Sequence, residues 1–133
     1  MEHYLYFILQ IFLAVILGGT VGWQREHIGK AAGPRTYALV CVGSALFTIL
    51  SMQAFGEGET SRMAAQIITG IGFIGAGMIL HKRNAVEGLT TAAGLWVIAA
   101  IGTAIGAGWL WEAIIVSGVI FTILAINDKT LFH

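Results

Sequence analysis

The segment from residue 64 to residue 80, AAQIITGIGFIGAGMIL, constrains this chain most. It runs for 17 residues without a charge and begins just after Arg62. That length is close to the minimum for a helix that crosses a bilayer, about 17 residues. Four glycines leave little side-chain bulk, so another backbone can approach closely; they are Gly70, Gly72, Gly75 and Gly77. We therefore predict a membrane helix built for close helix contact.

Composition supports a membrane bundle. Apolar residues make up 57% of the 133 residues and charged residues only 11%, whereas soluble domains carry about 25% charged residues. The net charge is zero, so there is no basic surface for nucleic acid. No internal repeat or linker divides the chain, and we predict a single domain over residues 1–133.

Two local features are given structural interpretations. The single cysteine, Cys41, lies inside an apolar run and is predicted to be a buried, inert thiol. The first apolar stretch has Glu2 where a signal peptide carries a cationic region, and it shows no convincing cleavage site. It is therefore interpreted as a retained first span.

Short polar breaks separate five apolar stretches. They predict an all-α, polytopic transmembrane bundle with spans at residues 4–23, 37–55, 64–80, 91–107 and 109–127. Six lysines and arginines fall on one side of these spans, and Arg62 is alone on the other. The six are Arg25, Lys30, Arg35, Lys82, Arg83 and Lys129. The positive-inside rule then predicts an external N-terminus and a cytoplasmic C-terminus.

Two glycine pairs have the four-residue spacing that places small residues on one helix face. They are Gly18–Gly22 and Gly102–Gly106. Such faces gain van der Waals contact when helices approach closely. The pairs and the four glycines of residues 64–80 are predicted to pack helices, either within the chain or in a homodimer.

A polar stripe is predicted at the outer end of the third span. Arg62, Gln66 and Thr69 share one helix face by their spacing of three to four residues. Glu59, three residues before Arg62, is the nearest candidate to neutralise it. The stripe is read either as a structural ion pair or as a ligand or ion site. Because an amide facing lipid is costly, Gln66 is expected to point into the bundle and to hydrogen-bond another span.

A second polar cluster is predicted on the cytoplasmic side. Its members come from the segments that flank spans one, two and four: Arg25, Glu26, Arg35, Thr36, Glu87, Thr90 and Thr91. Glu26 is placed to neutralise Arg35 across the loop. Thr90 or Thr91 is expected to cap the fourth helix through its hydroxyl.

The spans contain no ionisable residue in their central parts. Proton-coupled transporters and cation paths usually place such groups there. The sequence also shows no nucleophile–base pair and no metal-ligand spacing. We therefore expect no enzyme activity, no cofactor and no metal site.

Four motifs together resemble the membrane domain of the MgtC/SapB family. They are GWQRE at 22–26, AGPRT at 32–36, QIITGIGFIGAG at 66–77 and GLTTAAGLW at 88–96. The resemblance implies a bacterial inner-membrane protein with five spans, linked to growth at low magnesium and survival within hosts. It also implies a regulatory role that includes restraint of ATP synthase. The chain ends at His133, so a cytoplasmic C-terminal domain is not expected.

Three functional hypotheses follow. The first is a regulator that acts through helix contacts with itself, as a homodimer, and with a membrane partner such as ATP synthase. The second is a small transporter or channel whose route is lined by Arg62, Gln66 and Thr69. The third is a scaffold without a site.

Overall fold

The computed structural model describes residues 1–55, 58 and 60–126. It contains the helices α1 (Glu2–His27), α2 (Pro34–Gln53), α3 (Thr60–Gly77), α4 (Leu89–Gly106) and α5 (Leu110–Ala125), and the strands β1 (Leu80–Lys82) and β2 (Ala85–Glu87). The predicted all-α class is confirmed, with one helix in each of the five predicted regions. The strands were not predicted.

The segment between α3 and α4 forms an antiparallel hairpin, not the loop that the sequence suggested. Lys82 pairs with Ala85, so that the hairpin turns through two residues. The Lys82 ammonium and the Glu87 carboxylate form an ion pair of 2.7 Å along it. Since β1 begins at Leu80, α3 ends earlier than the predicted boundary, and it also begins four residues before residue 64.

The helices alternate in direction. Gln10, near the start of α1, hydrogen-bonds Ile105 near the end of α4, and Gln24, near the end of α1, reaches Phe121 near the end of α5. Ser51 at the end of α2 bonds the backbone of Thr60 at the start of α3. The bundle therefore has a hairpin end, where α1, α3 and α5 end and α2 and α4 begin, and an opposite end.

Helix α2 lies between α1 and α4, and glycines set the closeness of both contacts. A Cβ added at Gly18 would stand 2.7 Å from the carbonyl oxygen of Tyr37, and one added at Gly22 would stand 2.6 Å from that of Gly33. On the other side of α2, a Cβ added at Gly106 would stand 2.5 Å from the carbonyl oxygen of Ala45. A Cβ added at Gly102 would collide with the carbonyl oxygen of Cys41. Both glycine pairs thus pack within the chain.

The buried core is centred on these three helices. Its fully buried side chains include Tyr37, Cys41, Leu95, Ile98 and Ile105. Helix α3 packs on α4 and α2, and α5 packs on α4 and α1. Both are peripheral to the three-helix core.

Several threonine hydroxyls are satisfied within their own helices. Five threonines donate to the carbonyl oxygen four residues earlier in their own helix: Thr20, Thr48, Thr69, Thr103 and Thr122. This bond removes the need for a partner elsewhere and suits a helix surrounded by lipid.

Three helices are long and apolar enough to cross a membrane, namely α1, α2 and α4, and α5 is a shorter apolar helix. Large apolar side chains cover the outside of the bundle, with Leu39 72% exposed and Ile115 66% exposed. A surface of this kind would aggregate in water, whereas hydrocarbon solvates it.

Candidate functional site

The side chain of Arg25 is buried at the hairpin end of the bundle. Only 2% of the residue is exposed. Its Nη2 donates a hydrogen bond of 3.2 Å to the Thr91 hydroxyl. Its Nε has no hydrogen-bond partner, and no carboxylate in the described ranges forms an ion pair with it. Within the part of the chain that the structure describes, this interior guanidinium therefore has no paired counter-charge.

Three helices meet around this guanidinium. Tyr37 from α2 is fully buried, and its hydroxyl donates a bond of 3.3 Å to the backbone carbonyl of Thr91. Arg25 from α1 is the charged neighbour of that hydroxyl. Gly94 provides the space, since a Cβ there would lie 2.7 Å from the Tyr37 oxygen. Arg25, Tyr37 and Thr91 form what we call the arginine cluster.

A cavity of about 400 Å³ opens beside the arginine cluster, between the α1–α2 loop, the hairpin and the start of α4. Its polar lining consists of Arg25, Lys30, Glu87, Thr90 and Thr91. The hairpin supplies one wall through Leu80 and Val86. We call this space the hairpin cavity.

The start of α4 forms part of the hairpin cavity and has no side-chain cap. Its N-cap residue is Gly88, at φ 84°, and no side chain caps the backbone N–H groups of the first turn. The expectation that Thr90 or Thr91 caps this helix is therefore wrong. Glycine is needed here because the backbone is left-handed and because any Cβ would collide with the carbonyl of Met78.

The predicted cytoplasmic cluster is brought together in part. Arg25 and Thr91 are bonded, and Glu87 and Thr90 line the same cavity. Thr36 is half-buried near the start of α2, whereas Glu26 and Arg35 are exposed. The predicted Glu26–Arg35 pair is not formed among the described residues; the acid that has a basic partner at this end is Glu87, with Lys82.

The predicted outer stripe lies on the outside of the bundle. Arg62, Gln66 and Thr69 are all exposed, and Glu59 lies outside the described residues. Arg62 and Gln66 line an open cavity of about 670 Å³ with Ser51 and Phe55 at the opposite end of the bundle.

The expectation that Gln66 points inward and bonds another span is wrong. It is exposed and forms no hydrogen bond within the described part of the chain. The reason is that α3 packs through its other side, where Ile71 and Gly75 are buried. The stripe therefore faces away from the core.

Most of the α3 glycines also face outward. A Cβ added at Gly70, Gly72 or Gly77 would meet nothing within 4 Å. Gly75 differs, because a Cβ there would make ordinary contact with Ala92 at 3.6 Å. We use the name α3 face for the outward-facing residues Gly70, Gly72, Phe73 and Gly77, which together cover nearly half of the circumference of this helix. Next to it, an apolar groove of about 530 Å³ runs between α2 and α3, lined by Phe47, Gln66 and Gly70 among others.

Among the buried residues with polar groups that sequence reasoning missed are Gln10, Gln24 and Tyr37. Gln10 donates from Nε2 to the carbonyls of Ile105 at 2.8 Å and Gly106 at 3.3 Å. Gln24 donates to the Phe121 carbonyl at 3.4 Å. A signal existed for the first, since the four-residue spacing of Gly18 and Gly22 extends back through Ala14 to Gln10. No comparable signal marks Tyr37.

Comparisons with known proteins agree with this architecture. The model of the MgtC family matches residues 11–131. The chain is 44% identical over 135 residues to YhiD of Escherichia coli K12, covering 96% of this chain and 60% of that protein. It is 42% identical over 113 residues to protein MgtC of Brucella abortus, covering 85% of this chain and 48% of the relative.

A cyanobacterial relative extends the comparison. Protein SrpB of Synechococcus elongatus is 39% identical over 132 residues, which cover 89% of this chain and 71% of SrpB. No solved structure matches the chain. The chain spans about 60% of the length of YhiD and about half that of the Brucella protein. The family match over nearly the whole chain, with the apolar helices and lipid-suited surface, shows that this chain is a membrane protein of the MgtC family.

Proposed function

We propose that this chain is the membrane-embedded part of a regulatory protein of the bacterial inner membrane. It is linked to magnesium homeostasis and to survival under stress or within hosts, and it acts by contact with other membrane proteins. Family membership supports the magnesium link, as does the name of the Escherichia coli relative, which is that of a proposed magnesium transporter. Because the relatives are longer, the proposal concerns the part that they share with this chain.

In this proposal all five helices cross the bilayer, with the N-terminus outside and the C-terminus in the cytoplasm. The alternating helix directions support it. So does the distribution of charge, since Lys30, Arg35, Lys82 and Arg83 stand at the hairpin end and Arg62 stands at the opposite end. Cytoplasmic loops carry the excess of lysine and arginine, which assigns the hairpin end to the cytoplasm.

The observation that carries the regulatory proposal is the α3 face. Phe73 is 84% exposed, and a Cβ added at any of the three glycines around it would meet no described residue within 4 Å. A glycine within a helix lowers helix stability by about 0.5–1 kcal/mol relative to alanine. Three such glycines without an internal contact are understandable if another backbone packs against them.

A transmembrane helix is the partner that fits this face. Lipid tails adapt to any side-chain shape and do not require glycine, whereas helices in lipid associate closely through small residues. We propose that a second copy of the chain occupies the face in a homodimer. The family analogy adds ATP synthase as the membrane complex on which the regulator acts.

The test substitutes leucine for glycine on two helices. Gly72→Leu places an isobutyl group on the α3 face, and Gly118→Leu places the same group on an exposed site of α5 that also has nothing within 4 Å. Gly75 is unsuitable, because a side chain there would press α3 away from Ala92. Both variants are expressed in the full-length protein, in a bacterium lacking its own copy.

Growth at low magnesium and the amount of protein in the membrane are measured together. We expect Gly72→Leu to lose the growth phenotype at a normal membrane level, and Gly118→Leu to keep it. Full activity of Gly72→Leu would contradict regulation through the α3 face. Equal loss of the growth phenotype in both variants would show that the effect does not depend on which helix carries the substitution. That result would also contradict regulation through the α3 face.

Transport is the second candidate, and Gln66 is the observation that favours it. An unbonded amide on a membrane helix is costly in lipid, and a route between two copies would hydrate it. Ions would then pass between two copies of the chain and not through a single bundle, since the stripe lies outside the core of the chain. Purified protein in vesicles with ion-sensitive dyes tests this: flux that Arg62→Ala abolishes supports transport, and absence of flux for magnesium, potassium and chloride eliminates it.

A further inference from the structure

No carboxylate of residues 1–55, 58 and 60–126 balances the buried charge of Arg25. An arginine guanidinium is a cation, and removing an ion from water costs several kcal/mol unless an opposite charge compensates. Thr91 supplies one neutral oxygen at 3.2 Å, and the neutral Tyr37 hydroxyl is a second polar neighbour. The Nε remains without a partner, and in the ranges described no carboxylate pairs with the group. A buried, under-bonded cation of this kind points to an anionic ligand.

A second positive element converges on the same place. The first turn of a helix exposes backbone N–H groups and a partial positive charge. In α4 the first backbone bond of this turn runs from the Ala92 nitrogen to the Gly88 carbonyl, so the N–H groups of Leu89, Thr90 and Thr91 precede it. No side chain caps them. Helix N-termini in this state bind phosphate and other anions.

The hairpin cavity is where both elements are accessible. Arg25, Thr90 and Thr91 line it, together with the exposed Lys30. Glu87 lines it too, but its carboxylate is engaged by Lys82 at 2.7 Å and is 54% exposed. The remaining polar side chains can all donate, Arg25 and Lys30 as cations and Thr90 and Thr91 through their hydroxyls. A volume of about 400 Å³ is large enough for a phosphate group with a substituent.

We propose that the hairpin cavity binds a phosphate group, held by Arg25, Lys30 and the N-terminus of α4. Phosphate fits better than carboxylate because its three terminal oxygens can accept from guanidinium, ammonium, hydroxyl and backbone N–H donors at once. The group is either free phosphate or the headgroup of an anionic lipid. The inference concerns a ligand of the chain and does not depend on the regulatory role of the α3 face.

The experiment measures binding to the purified full-length chain in two arms. In the first arm inorganic phosphate is titrated into protein in neutral detergent, with sodium chloride at matched ionic strength as the control. In the second arm the chain is placed in nanodiscs of phosphatidylcholine with or without phosphatidic acid, and retained lipid is counted by native mass spectrometry.

Variants locate the site. Arg25→Gln removes the buried charge and is expected to weaken binding at least about tenfold, the usual scale for a charged hydrogen bond. Lys30→Gln changes an exposed side chain, so it tests the site even if Arg25→Gln fails to fold; we expect about threefold weaker binding. Arg35→Gln is the matched control, because Arg35 is an exposed cation at the same end that does not line the cavity.

The outcomes separate the sources of the ligand. Saturable binding in the first arm identifies free phosphate, and selective retention of phosphatidic acid in the second identifies a headgroup. Both support the site if Lys30→Gln weakens binding more than Arg35→Gln does. Absence of binding in both arms overturns the proposal, as does binding that Lys30→Gln and Arg35→Gln weaken equally.

Discussion

Two adjacent glycines in α1 provide a sharp test of how the core is held together. Gly18 faces α2, where an added Cβ would lie 2.7 Å from the Tyr37 carbonyl oxygen and 2.9 Å from the Cα of Ala38. Gly19 faces outward, and a Cβ there would meet nothing within 4 Å. Both are in mid-helix, so replacement by alanine gives both the same gain in helix propensity, about 0.5–1 kcal/mol.

The difference between the two variants therefore measures the helix contact alone. Ordinary contact begins at 3.4 Å, so Gly18→Ala requires α1 and α2 to separate by about 0.7 Å, the difference from 2.7 Å. The clashing atoms are backbone and cannot rotate away. Overpacking of this kind costs about 1–3 kcal/mol. We expect Gly19→Ala to raise the free energy of unfolding slightly. The free energy of unfolding of Gly18→Ala is expected to be about 1–3 kcal/mol lower than that of Gly19→Ala.

Reversible unfolding in mixed micelles at rising dodecyl sulfate fraction, followed by tryptophan fluorescence, gives the free energies. A second readout is the rate at which a maleimide labels Cys41, which is fully buried and becomes accessible when α1 leaves α2. Equal stability of the two variants would refute the view that the Gly18 contact fixes the separation of these helices.

Two further outcomes are expected. Gln10→Leu should lower the free energy of unfolding by about 1–3 kcal/mol, since the Ile105 carbonyl loses its 2.8 Å partner. The control Gln53→Leu, at an exposed position, should change the free energy of unfolding by less than about 0.5 kcal/mol. Equal effects of the two variants in the same unfolding assay would contradict this prediction. Gly72→Cys in a Cys41→Ser background should give a disulfide-linked dimer in native membranes under mild oxidation, and Gly118→Cys should not; a linked product of larger mass would point to a different partner.

The helices could be predicted from the sequence because apolar runs and polar breaks report lipid exposure directly. The hairpin could not. Its two strands have three residues each, too few for a periodic signal, and the Lys82–Glu87 pair that links them has its partners five residues apart. Glycine spacing identified the close-packed faces of α1 and α4. It did not show that both faces meet α2, which contributes Cys41, Ser44 and Ala45 instead of a glycine pair.

For the candidate sites too, the sequence indicated which residues share a helix face but not what that face contacts. Spacing established that Arg62, Gln66 and Thr69 share a face, but a shared face has no direction until the neighbouring helices are placed. The rule that polar groups face inward in a membrane gave the wrong side, because Ile71 and Gly75 make the contact with the core. Arg25 was grouped correctly with Thr91, yet its burial arises only when α4 covers the end of α1, and single-sequence patterns do not report that contact.

Glycine has opposite consequences in the core and on α3, and this contrast distinguishes internal packing from external contact. At Gly18 the cost of glycine in helix stability is offset by contact with α2, whereas at Gly72 no contact with a described residue offsets it. Gly72→Ala should therefore raise the free energy of unfolding of the isolated chain by about 0.5–1 kcal/mol. If the α3 face contacts a helix of another chain, the same variant should also lower activity at low magnesium. Stability would then increase while function decreases. A variant that is both more stable and fully active would show that Gly72 has no role in contact, and the case for the α3 face would fail with it.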